Sequence, residues 1–248
     1  MAILFNVNHP APPFSPLDIS GCVLWLKSDT GVTKDGLNRV SLWEDQSGNN
    51  NDASQGTDGN KPIWVDNQIN AFPVLRSTRA AGTFMDLASL ITGIIDCTIL
   101  FVAKHDYVGA GNHSGGIIMD YTTITQCGIS LAEYFGNALL FVGTNGAGGG
   151  ANSYLHPFGD YSNYCIGTFK KESTNLYAYF NGSLTDTNTI SASYNTVYLD
   201  ALFHTLSEAG PSGSLEGDLA EIIVYNSDLS DGYREQVENY LLTKYAIS

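Results

Sequence analysis

Apolar positions along this chain recur mainly with period two. From Cys22 onward, alternating or fully apolar runs are broken by Gly, Asn and Ser, the pattern of antiparallel strands joined by tight turns. Cys22–Lys27 is the first such run, with Trp25 between Leu24 and Leu26, and Val40–Trp43 is the second. Residues 97–104, 115–119, 138–142 and 165–169 read as strands buried on both faces. Residues 176–180 end in Asn181-Gly182, a pair that tolerates positive φ and so predicts a hairpin. Residues 219–225 form the last clear strand. After it the period changes once. Ser230 is suited to cap a helix and Asp231 to its first turn, and Val237, Tyr240, Leu241 and Lys244 then make one helical stripe. The Gly-rich run at 146–151 is expected to be a loop.

Composition narrows the class. A chain of 248 residues fits one large all-β domain and buries a core without needing disulfides. Charged residues make up 15%, against about 25% in typical domains, and polarity comes instead from Asn, Ser and Thr beside 14 Tyr. With 25 acidic and 11 basic residues the formal charge is −14, which repels phosphate backbones and anionic lipid. A nucleic-acid binder is excluded on that ground, and no apolar stretch suits membrane insertion. Cys22, Cys97, Cys127 and Cys165 lie far apart in strand-like surroundings, and are expected to be reduced, mostly buried thiols.

The first twenty residues differ from the rest. Pro10, Pro12, Pro13 and Pro16 favour extended geometry, and with Phe5 and Phe14 they suggest a docking arm over residues 1–20, ahead of a domain over residues 21–248. Two readings of the arm stay open: it lies on its own domain, or it reaches a neighbouring protein. Residues 1–20 lack the basic start and apolar core of a signal peptide. The expectation is therefore a route outside the cell that does not use such a signal.

Several segments, in order, resemble the laminin-G-like domains of the concanavalin A-like lectin/glucanase superfamily. They are Leu24-Trp25-Leu26-Lys27-Ser28-Asp29-Thr30-Gly31-Val32, then residues 40–53, 61–76 and Tyr179-Phe180-Asn181-Gly182, and finally residues 217–226 with Leu229-Ser230. The resemblance covers nearly everything but the arm. It implies an all-β jelly-roll sandwich of two antiparallel sheets with a short C-terminal helix. The superfamily holds lectins, adhesion modules and glycan-cleaving enzymes alike, so fold leaves function open.

Three constellations carry candidate chemistry. Glu216, Asp218 and Glu221 read E-x-D-x-x-E, the shape of the superfamily's retaining β-glucanase motif, where the resemblance implies nucleophile, electrostatic partner and acid/base in turn. A regular strand points Glu221 away from the other two, so the match requires a bulge, and Gly217 replaces the usual aliphatic residue. The expected reading is non-enzymatic, with hydrolysis as the alternative. Asp45, Asn49, Asn51 and Asp52 offer oxygens to calcium in one loop, while the same residues suit Asx turns. For glycan binding, His105, Tyr107, His113, Tyr154, His156 and Tyr161 lie in loop-rich stretches with nearby Asn and Asp. Trp25 and Trp43 are expected in the core.

The sequence is thus read as a carbohydrate-binding attachment domain. Its partners are expected to be a cell-surface or extracellular glycan, other virion proteins through residues 1–20, and further copies of itself. The setting expected for it is a bacteriophage virion, as a capsid decoration or tail-fibre component. A free lectin or adhesion module is the other non-enzymatic alternative.

Overall fold

The computed structural model describes residues 14–106, 113–119, 127–134, 137–144, 162–189, 197–203 and 214–248. The chain opens with β1 (Cys22–Lys27), β2 (Val32–Lys34), β3 (Val40–Trp43), β4 (Ala53–Ser54), β5 (Ile63–Ile69) and β6 (Phe72–Ser77). Next come β7 (Met85–Ile94), β8 (Cys97–His105), β9 (His113–Met119), β10 (Cys127–Tyr134) and β11 (Asn137–Thr144). The last strands are β12 (Cys165–Glu172), β13 (Asn175–Phe180), β14 (Ser183–Thr189), β15 (Val197–Leu202) and β16 (Gly217–Tyr225). Helix α1 (Asp231–Tyr245) closes the chain.

These strands form two antiparallel sheets. One runs β14-β13-β12-β8-β16-β6-β5, with β1 pairing the second half of β16 beyond the end of β6. The other runs β11-β10-β9-β15-β7-β4-β3-β2. Between them lies an apolar layer built from alternate residues, including Leu24, Leu26, Trp43, Phe101, Phe169, Ile222 and Val224. It is packed to contact: a Cβ added at Gly167 would stand 2.2 Å from the Phe101 ring. This small residue is what lets that ring lie flat across β12.

A second apolar layer covers the outer face of the β8–β16 sheet. Trp25, Leu100, Val102, Ile166, Ile223 and Tyr225 meet Val237, Leu241 and Tyr245 of α1 there. Strand β8 therefore contributes to both layers, Ile99 and Phe101 inward and Leu100 and Val102 outward, which is why its sequence has no alternation. The Ser230 hydroxyl accepts from the Tyr233 N–H and starts the helix, and Ala246 ends it in a left-handed conformation, φ 52°. Each fully buried aliphatic on the helix, such as Val237 or Leu241, contributes about 1.5–3 kcal/mol. The hairpin at Asn181-Gly182 joins β13 to β14 with φ of 46° and 81°.

The outer layer reaches back to the N-terminal segment. Ser15 caps a 3-10 turn over Pro16–Asp18, the Pro16 carbonyl accepts a 2.8 Å hydrogen bond from the Tyr225 hydroxyl, and Ile19 is buried. The Phe14 ring sits 6.1 Å from that of Tyr240. Phe14 and Pro16, grouped in sequence with a docking arm, thus pack on their own sandwich. Phe5, Pro10, Pro12 and Pro13 lie outside the described residues. No helix among the described residues is long and apolar enough to cross a membrane.

Candidate functional site

The acidic motif lies along β16, at the middle of its sheet. Between Leu219 and Glu221 the register against β8 slips by one residue. Leu219 and Ile222 point into the inter-sheet core, while Ala220 and Ile223 point outward. The slip is a bulge that turns Glu221 to the outer face beside Ala220, the departure from regular geometry that the motif required. Asp218 also faces outward, so the two carboxylates share one side of the sheet.

Neither carboxylate is open to a ligand. Glu221 has 0% exposure and takes four donors. The Trp25 indole N–H reaches Oε1 at 2.7 Å and the Tyr240 hydroxyl reaches it at 3.0 Å. Lys244 Nζ reaches Oε2 at 2.7 Å and the Tyr245 hydroxyl reaches it at 2.8 Å. Burial, then the neighbouring Glu221 charge, raises the Tyr240 and Tyr245 phenols far above their ordinary range, so both remain donors. Asp218, also at 0% exposure, is clamped by Arg76 through Nε at 2.7 Å and Nη2 at 2.8 Å, and by the Tyr164 hydroxyl at 2.6 Å. Glu216 Oε2 accepts from the Arg79 backbone N–H at 2.7 Å. Gly217 has a steric cause: a Cβ there would stand 2.1 Å from the Lys104 carbonyl oxygen.

Buried carboxylates persist by finding donors, and Glu221 finds four and Asp218 three. A retaining hydrolase needs two carboxyls facing a sugar across open space. Here helix α1 lies over Glu221, and two of the four donors sit in its final turn. The chemistry left to Glu221 and Asp218 is structural: they fix α1, β1 and β6 to β16.

The candidate calcium loop is closed in the same manner. Asp45 Oδ1 accepts from the Trp25 and Ser47 N–H groups at 2.9 and 2.8 Å, and Oδ2 from the Ser47 hydroxyl and Asn51 N–H at 2.7 and 3.1 Å. Asp52 Oδ1 accepts from the Asp45 N–H at 2.8 Å. The amides of Asn49 and Asn51 donate to the carbonyls of Cys22 and Val23 at 3.0 and 2.8 Å. The loop reads as an Asx-turn lock on β1. Among the described residues no group of His, Cys, Asp and Glu converges as a metal set.

Of the residues put forward for glycan binding, His105 ends β8 and is 7% exposed. Burial lowers its pKa to about 4, with Asp106 opposing and Arg79 assisting. It is a neutral buried imidazole, not a surface contact. His113 starts β9, while Tyr107, Tyr154, His156 and Tyr161 lie outside the described residues. Trp25 and Trp43 are in the core layers as expected. Cys22, Cys97 and Cys165 are free thiols, and burial pushes Cys22 up to about 12.

Sequence reasoning passed over a shallow hollow of about 410 Å³ at the far end of the β13–β14 hairpin. Asn175, Leu176, Tyr177, Thr187, Asn188 and Thr189 line it. Its β13 side was legible as a strand, while Thr187, Asn188 and Thr189 on the β14 side carry little apolar signal.

No family model matches the chain, and no curated protein does. Solved structures do resemble it. The binding domain of Paraclostridial Mosquitocidal Protein 1 superposes with TM-score 0.62 at 14% identity, over 92% of this chain and 53% of that one. Domain 4 of AbnA, a GH43 extracellular arabinanase from Geobacillus stearothermophilus, solved with arabinotriose, gives 0.56 at 15%, over 88% and 97%. The shared architecture is the antiparallel two-sheet β-sandwich described above. A Trypanosoma rangeli sialidase solved with sialic acid gives 0.55 at 12% identity over 91% of this chain. The chain spans 34% of that sialidase's length and about half of the toxin domain's. At such identities the likeness shows architecture alone.

Proposed function

We propose that this chain is a non-catalytic carbohydrate-binding module that attaches its bearer to a glycan. The observation that carries the reading is the burial of Glu221, the motif's acid/base position, under four donors beside an equally buried Asp218, which closes the acidic motif to a sugar. The overlap with an arabinanase domain solved in complex with arabinotriose, over 88% of this chain and 97% of that one, supports it as a precedent for this architecture in complex with a sugar.

The finer parts of the proposal are a laminin-G-like lineage, assembly as a homo-oligomer and a virion setting reached through residues 1–20. The first is supported by the ordered sequence segments at residues 24–32, 40–53, 61–76, 179–182 and 217–226. The virion setting is supported by the Pro-rich composition of the leader, and a homo-oligomer would follow from that setting.

An array of neutral and charged oligosaccharides, read alongside reducing-sugar release from the bound ones, tests the function. Retention of one or more glycans without cleavage is expected. Cleavage of a bound glycan, or retention of none, overturns the reading.

A further inference from the structure

The outer face of the β8–β16 sheet is only partly roofed by α1. Thr168 on β12 still meets the helix, donating to Glu238 at 2.8 Å, and the Arg234 guanidinium lies 4.0 Å from the centre of the Tyr179 ring. Beyond that line β13 and β14 carry an uncovered shelf. Register sets its rows: Tyr177 lies opposite Thr187 and Asn175 opposite Thr189, while Leu176 between them points into the inter-sheet core. Thus the Tyr177 ring, the Asn175 amide and two hydroxyls share one face, held by backbone ladders instead of a loop.

The rim is acidic. The Tyr177 hydroxyl donates to Glu172 at 3.3 Å, and burial followed by Glu172, Asp228 and Asp231 raises the phenol's pKa. Lys170 Nζ stands 5.5 Å from the centre of the Tyr177 ring and supplies a donor. The edge itself is partly blunted against another strand. The N–H groups of Thr187 and Thr189 are taken by the side chains of Asp186 and Asn188 at 2.8 and 2.7 Å, which leaves fewer donors for β-pairing.

We infer that the β13–β14 hollow is a glycan subsite, with the Tyr177 ring as stacking platform and Asn175, Thr187 and Thr189 as hydroxyl partners, selective for neutral sugars. The inference rests on the carbohydrate-binding reading above. A ring face suits the C–H side of a pyranose or furanose, and amides, hydroxyls and carboxylates suit its hydroxyls. The Glu172 carboxylate bonded to the Tyr177 hydroxyl, in a chain of charge −14, disfavours sialylated or uronic ligands. A volume of about 410 Å³ matches one or two sugar units and not a folded partner.

The test compares wild type, Tyr177→Ala, Tyr177→Phe and Thr187→Arg on an array of neutral and sialylated oligosaccharides. Titration of each protein with the best-bound array glycan then follows, and melting curves confirm folding. Tyr177→Ala is expected to weaken binding about tenfold or more, while Tyr177→Phe stays within about threefold. Thr187→Arg fills the hollow from the exposed strand without touching the core and is expected to abolish binding. A wild type that holds neutral glycans with Tyr177→Ala and Thr187→Arg both unimpaired overturns this subsite and leaves the function standing. Preference for sialylated glycans overturns the class assigned here. A wild type that retains no glycan overturns the function and the subsite together.

Discussion

The two apolar layers of this protein are built by opposite rules. The layer between the sheets is closed by shape: alternate side chains of β1, β8, β12 and β16 interdigitate, and a glycine at 167 makes room for the Phe101 ring. The layer under α1 is closed by charge. There Glu221 sits at 0% exposure among Trp25, Tyr240, Lys244 and Tyr245. The same strand, β16, serves both layers, and the bulge at Ala220–Glu221 is where it changes rule. An apolar layer tolerates any well-fitting shape, whereas a saturated carboxylate fixes one helix in one register.

The largest expected effect comes from breaking the charged layer. Glu221→Ala leaves an indole N–H and two phenols without their acceptor and takes one of two carboxylates from Lys244, and is expected to cost about 3–5 kcal/mol in denaturant unfolding. A loss under 1 kcal/mol in that measurement contradicts the role assigned to Glu221.

Next in size is a pH effect at the end of β8. His105 is neutral in the folded protein, with its pKa lowered to about 4 from an ordinary 6.5. Between those values the unfolded chain binds a proton that the folded one does not. Stability from this group is therefore complete above about pH 6.5 and lost as the pH falls toward 4, by roughly 3 kcal/mol in all. Unfolding free energies at several pH values check this, since His105→Gln is expected to flatten the slope in that window.

The smallest effect sharpens the contrast from the apolar side. Gly167→Ala drives a methyl into the Phe101 ring and is expected to cost about 1–3 kcal/mol, with Phe101→Leu in the same chain recovering part of it. Failure of the second substitution to recover stability would place the strain elsewhere than in the ring.

Much of the architecture was legible because burial writes itself into periodicity. Strands β1 and β3 match their sequence bounds, β8, β12, β13 and β16 do so within a few residues, and α1 follows its cap at Ser230. Eight of the described strands were not read from the pattern: β5, β6, β7, β10 and β15, together with β2, β4 and β14. β14, reading Ser-Leu-Thr-Asp-Thr-Asn-Thr, is a polar edge, and β2 and β4 are too short to carry a period. The candidate site was less legible. Glu221 is a charge inside an apolar run, which signals a buried partner, but its donors come from residues 25, 240, 244 and 245. No local pattern links positions so distant in sequence, and none reveals a bulge. The β13–β14 hollow was missed for a related reason: its polar side chains look like an ordinary solvated edge until register aligns Tyr177 with Thr187.

The account depends on the acidic motif holding the fold instead of performing chemistry, and Glu221→Gln tests this most directly. Melting temperature, glycan affinity and reducing-sugar release, measured on both proteins, are expected to show a lower melting temperature for the variant, equal affinity and no release by either. A wild type that releases sugar, paired with a variant that melts normally and releases none, contradicts it.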